Sequence, residues 1–173
     1  MVIGAWPVLL AAAVRSSVPS NRASGASGRH RAAAGEEFVA RCQAALDIVQ
    51  QDLRVTGYGR YRMQAHLDGG WPPSVFAALP DGSCWTGAWG MESGMEGASL
   101  LFNAAASVSG TLDEVRGIEW PVCVVHGSDP AAGHLYGEER VELVDGTVVW
   151  WCPRTGHAIA PVGQLTAEVA RTL

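Results

Sequence analysis

Residues 140–157 read RVELVDGTVVWWCPRTGH. Asp145-Gly146 separates two apolar runs, Arg140 to Val144 and Thr147 to Cys152. Asp-Gly is a favoured two-residue hairpin turn, so the stretch predicts an antiparallel hairpin. Cys152 stands at the far end of that hairpin, with His157 at Cys-x4-His spacing. Upstream, Cys123 and His126 form a Cys-x2-His pair followed at once by Gly127, which suits a tight turn. A hairpin between two such pairs brings two thiols and two imidazoles to one place. Those are the ligands that a tetrahedral zinc ion prefers.

Upstream the pattern changes. Phe38, Val39, Cys42, Leu46, Val49 and Leu53 step by three or four and make one apolar helical stripe. Glu36 and Glu37 suit a first turn, where the helix dipole favours acids, and Gly57 ends the pattern. Order is expected to begin at Glu36. Tyr61, Met63, Ala65 and Leu67 then alternate with Arg60, Arg62, Gln64 and His66, the period of a half-buried strand. Ser74 to Leu79 and Cys84 to Trp89, joined by Pro80-Asp81-Gly82, predict a second hairpin over 74–89. Ala98 to Val108 reads as a buried helix, with Thr111 and Glu114 as a capping box for a further helical turn. Leu165, Val169 and Leu173 step by four and suggest a short terminal helix.

The expected fold is therefore α+β: a small antiparallel sheet with two helices on one face, followed by a ribbon-like β-hairpin region. The expected divisions are a disordered tail over 1–35, an α+β domain over 36–120, and the hairpin region with its short helix over 121–173. The tail is Ser, Ala, Gly and Arg without apolar period. Its apolar start, Val2 to Val14, is shorter than the ~20 residues a bilayer needs. It also lacks the basic flank of a secretory signal. A cytoplasmic protein is the expectation, with no membrane partner.

Net charge is −5, unevenly spread. Residues 1–35 carry four arginines and no acid, whereas the rest carries eight arginines against seventeen acids. An acidic body is a poor match for nucleic acid, whose binding rests on phosphate neutralisation. Every basic residue is arginine, a mark of a GC-rich genome.

The paired knuckles resemble a degenerate zinc ribbon. Thr155 stands where a ribbon would carry its second-knuckle cysteine, and His157 substitutes from two residues on. Trp120 to Leu165 also resembles the C-terminal part of an uncharacterised actinobacterial protein group, with a similar Trp-Trp-Cys, Gly-His and Val-Gly-x-Leu run. The ribbon resemblance implies Cys123, His126, Cys152 and His157 as metal ligands and zinc as the cofactor. Otherwise the ribbon stands empty, with no cofactor. His134 could compete as a ligand.

Three functions follow. The first is a non-enzymatic interaction or regulatory module, with Trp150 and Trp151 as candidate contacts for an unknown protein partner, since adjacent strand residues face opposite sides and tryptophans are frequent hot spots. The second is a small hydrolase using Asp129 and His157 with an unidentified serine, although no Gly-x-Ser-x-Gly elbow is present. The third is a structural subunit of a larger assembly. Cys84, with His66 on the neighbouring strand, could form a nucleophile pair across the sheet, but its alternating strand position in an acidic body suits an inert buried thiol.

Overall fold

A computed structural model describes residues 25–68, 74–85, 90–126 and 140–167, and the side chains from residue 35 on. Its elements are α1 (Gly25–Val55), β1 (Gln64–Asp68), β2 (Ser74–Ala78), β3 (Met91–Glu92), α2 (Gly97–Arg116), β4 (Val141–Val144), β5 (Thr147–Cys152) and β6 (His157–Pro161). Two antiparallel three-stranded sheets result, β1-β2-β3 and β4-β5-β6. The fold is α+β, with a C-terminal hairpin sheet. Among the described residues no helix is long and apolar enough to cross a membrane.

α1 starts eleven residues before the expected Glu36, so Glu36 and Glu37 lie inside the helix. Ala32, Ala33 and Ala34 are the strongest helix formers, and propagation from a packed helix costs little. The expected stripe is correct: Phe38, Cys42, Leu46, Val49 and Leu53 are buried. The helix closes on Gly57 in the left-handed region, φ 86°. Tyr58 N–H bonds to Leu53 O (2.7 Å) and Gly57 N–H to Arg54 O (3.2 Å), the paired bonds of a Schellman cap.

β1 is an edge strand whose free backbone groups are met by α1. Gln50 Oε1 accepts from Met63 N–H (2.9 Å) and Gln43 Oε1 from Ala65 N–H (2.9 Å). Side-chain amides thus cover an edge that would otherwise invite pairing. The expected alternation holds at buried Met63 and fails at Leu67, which is exposed.

The hairpin expected over 74–89 is reduced to a turn and one bridge, Ala78 to Cys84; residues 86–89 lie outside the described residues. β2 pairs instead with two-residue β3, through Ser74–Glu92 and Val75–Met91. Between β3 and the Cys84 bridge α2 meets the flank of β2: Ala77 N–H donates to Ser107 Oγ (2.9 Å), and Thr111 Oγ1 donates to Ala77 O (3.0 Å). This explains why α2 runs unbroken through Gly110 and Thr111. Thr111 does not cap a second helix; the reciprocal box sits at Glu96 and Ser99, at the helix start.

The C-terminal hairpin is as expected. Val144 pairs with Thr147, and Asp145 (φ 50°) with Gly146 (φ 77°) forms the turn. β6 was not expected. It pairs with β5 through a register shift between Trp150 and Trp151. The expected terminal helix is absent at Leu165, which is irregular, and its remainder lies outside the described residues.

The second sheet shares the core of the helices. Val141, Val148, Trp150, Val162 and Leu165 join Leu46, Leu53, Ala104 and Leu112 in one apolar cluster. Trp120 and Trp150 meet edge to face, centroids 4.7 Å apart. Asp52, fully buried on α1, accepts from Trp150 Nε1 (2.7 Å), Gly163 N–H (2.6 Å) and Leu165 N–H (2.8 Å). One carboxylate thereby fixes β5, and the chain after β6, to the first helix.

Candidate metal centre

Cys152 ends β5 and His157 opens β6, and the two are cross-strand partners. The turn between them closes through Gly156 N–H to Cys152 O (2.9 Å), with Gly156 at φ 67°. Cys123 and His126 come from a turn after Trp120. Arg140, itself buried, holds the chain on the approach to that turn: its guanidinium donates to Pro121 O (3.3 Å) and pairs with Glu119 (3.1 Å).

The four side chains meet. Their ligand atoms all lie within 4.8 Å of one another, with both cysteines buried and both histidines partly so. Cys123 Sγ is 3.5 Å from His126 Nδ1 and 3.5 Å from His157 Nε2, and Cys152 Sγ is 3.5 Å from His126 Nδ1. The cluster is compatible with a metal site. None of the four cysteines forms a disulfide.

The surroundings prepare the donors. Burial pushes the Cys152 thiol up, but the N–H groups of Arg154 and Thr155, with Cys123 and the Thr155 hydroxyl, more than offset it and bring it below the ordinary thiol range. Cys42 shows the contrast: burial, opposed only weakly by Arg41, raises it to about 11, an inert core thiol. Thr155 Oγ1 lies 2.8 Å from His157 Nδ1. With the proton on Nδ1 donated to Thr155, the Nε2 lone pair faces Cys123, which is the orientation a metal-binding imidazole needs. Sequence reasoning noted Thr155 only as a missing cysteine. Its place two residues before a ligand histidine was the available signal.

Trp150 is withdrawn from any surface: it is fully buried and bonded to Asp52. It is therefore a core residue and not a contact for a partner. Trp151 is half-buried, and its ring lies against the turn at Gly156, 3.6 Å from where a β-carbon would stand. Val124 and Val125, between Cys123 and His126, are 41% and 71% exposed. Cys84 and His66 do not meet, because β2 lies between them: Ala78 pairs with Gln64 of β1 on one side and with Cys84 on the other. Asp129 and His134 lie outside the described residues.

Comparison with protein-family models, with curated proteins and with solved structures found no match.

Proposed function

We propose that the chain is a non-enzymatic interaction or regulatory module whose C-terminal sheet is held by one structural zinc ion. Cys123 Sγ, His126 Nδ1, Cys152 Sγ and His157 Nε2 would be its ligands. The observation that carries this is the set of three sulfur–nitrogen separations of 3.5 Å. Zinc bonds of about 2.3 Å to sulfur and about 2.0–2.1 Å to nitrogen, at a tetrahedral angle, place sulfur and nitrogen about 3.5 Å apart. Four protein ligands leave no open position, so the ion would be structural: it would clamp the turn at Cys123–His126 onto β5 and β6. The likeness of the two knuckles, Cys123–His126 and Cys152–His157, to a degenerate zinc ribbon supports the same assignment.

Both nitrogens of His157 already have neighbours, Cys123 and Thr155. A histidine so engaged is not poised as a general base, which weighs against the hydrolase. Exposed Val124 and Val125 suit contact with a protein partner, and half-buried Trp151 could add to it. The acidic body disfavours nucleic acid. Four cysteines outside any disulfide fit a reducing compartment, the cytoplasm.

Native mass spectrometry of the untagged chain with elemental analysis tests the centre. We expect one zinc per chain, lost in Cys123→Ser and in His157→Ala. Metal-free protein with Cys123 and Cys152 both open to alkylation overturns it.

A further inference from the structure

The cleft between α1 and the start of β1 has a volume of about 880 Å³, within the range of small-molecule sites. Gln43, Asp47, Gln50 and Arg54 line it from the helix, at spacings that keep them on one face, and Arg62 lines it from the other side. Gln50 is 6% exposed. Its Oε1 accepts from Met63 N–H, which fixes the carboxamide, since flipping it would set two donors against each other. Its Nε2 is buried and, among the described residues, has no hydrogen-bond partner. Gln43, about two turns away, is used at both ends: Oε1 by Ala65 N–H, and Nε2 by Asp47 Oδ1 (3.0 Å). Gln50 thus presents a fixed donor that no described residue uses.

Charge points the same way. Arg41, Arg116 and Arg140 each pair with a carboxylate, and Arg60 stacks over Tyr61. Arg54 and Arg62 have no ion-pair partner among the described residues, in a body that is otherwise acidic. Gly59 allows the loop to lie on the Arg54 stem: a β-carbon there would come within 3.2 Å of Arg54 Cα and Cγ. Asp47 is seven residues from Arg54, about 10 Å along the helix axis, and is already engaged by Gln43. The cleft therefore offers two guanidinium groups and a fixed amide donor; its one carboxylate, Asp47, lies a turn from Gln50 and is engaged by Gln43.

We infer that this cleft binds a small molecule bearing an oxyanion, a carboxylate or a phosphate, which Arg54 and Arg62 hold while Gln50 Nε2 donates to an oxygen of the same ligand. Guanidinium groups match the planar and tetrahedral oxyanions alike. The site is separate from the Cys/His centre and does not depend on metal there.

The test is a titration of the full-length chain with N-acetylglycine and, separately, with inorganic phosphate, followed by nitrogen–proton NMR. The side-chain amide of Gln50 and the backbone amides of Gly59 and Met63 are the reporters. We expect a saturable shift of all three with at least one probe. Arg62→Gln and Gln50→Glu should each weaken binding roughly tenfold or more. Glu at position 50 still accepts from Met63 N–H but turns the donor into a negative charge, and Arg62 is exposed, so that variant keeps the test open if the first does not fold. Response to N-acetylglycine alone identifies the carboxylate; response to phosphate alone identifies the phosphate. No shift with either probe up to about 50 mM, far above a millimolar site, or shifts that persist in both variants, would overturn the assignment.

Discussion

The β1-β2-β3 sheet and the β4-β5-β6 sheet have the same number of strands and are secured differently. The first is flanked by both helices, and α1 and α2 supply its hydrogen bonds as well as its apolar cover: Gln43 and Gln50 on one edge, Ser107 and Thr111 on the other. The second sends Val141, Val148 and Trp150 into the shared core, as many strand residues as the first, but its polar anchors are few: Asp52 holds it to α1, and the Cys/His cluster brings the turn at Cys123–His126 against it. A small three-stranded sheet gains from staples of this kind. Stability in this chain is thus distributed in the first half and concentrated in the second, and single changes should cost more in the second.

The largest effect should come from Cys152→Ser, or from a strong chelator on the unaltered protein. Zinc binding in small finger peptides is worth on the order of 10 kcal/mol, and a third of that shifts the melting midpoint by about 10 °C in a chain of this size. We expect that shift, and loss of amide protection in β5 and β6 before any loss in α1. Equal loss in both sheets, measured by hydrogen exchange, would break the contrast.

Asp52→Asn comes next. The carboxylate accepts from three buried donors through two oxygens, and an amide offers one acceptor and sets an N–H₂ against an N–H. A cost of about 2–3 kcal/mol in urea unfolding follows. The wild type carries a pH signature as well. Burial pushes the Asp52 carboxyl above its ordinary value, only partly offset by Trp150, Gly163 and Leu165. A raised folded pKa means that the native state holds the proton more tightly. The Asp52 contribution is therefore complete below the ordinary carboxylate range, and declines as pH rises through the folded value. Asp52→Asn should lack that decline. An identical pH profile for the two proteins would show that Asp52 does not link the halves through its charge.

Gly110→Ala probes the first half by shape alone. A β-carbon at this helix position falls on the six-membered ring of Trp85. The gain in helix propensity, about 1 kcal/mol, is set against overpacking of about 1–3 kcal/mol. We expect a net loss near 1 kcal/mol that is the same with and without chelator. Dependence on chelator would mean that the halves are not secured separately.

Much of this contrast was legible in the sequence. Periodicity exposed the α1 stripe, and Asp145-Gly146 fixed the C-terminal hairpin, because both depend on local spacing. The spacing of Cys123, His126, Cys152 and His157 pointed to a four-residue cluster for the same reason. What stayed hidden is polar. Asp52 sits between Val49 and Leu53 on the buried side of its helix, yet its partners lie more than ninety residues away in sequence. Thr111 reads as the cap of a new turn until β2 is seen to need its hydroxyl, together with that of Ser107. β6 follows from pairing with β5 and the Asp52 bonds just after it, and has little period of its own. Trp150 and Trp151 had to face opposite ways; which one faced the core depended on Asp52.

The smallest effect is at the turn that leads from β2. Asp81 is exposed, and its carboxyl is held down to about 2. The causes, largest first, are the Ser83 hydroxyl, the Ser83 N–H and the Arg116 guanidinium at 2.5 Å. Folding lowers this pKa below its ordinary value near 3.9, so the turn gains from ionised Asp81 above about pH 4 and loses that gain as pH falls toward 2. An exposed pair adds little to global stability, so the check is an NMR titration of the Asp81 carboxyl. Ser83→Ala should raise its pKa more than Arg116→Ala does. The reverse order would mean that the contact with α2, and not the turn itself, holds the charge, and would move this loop from the local part of the first half to the part that α2 organises.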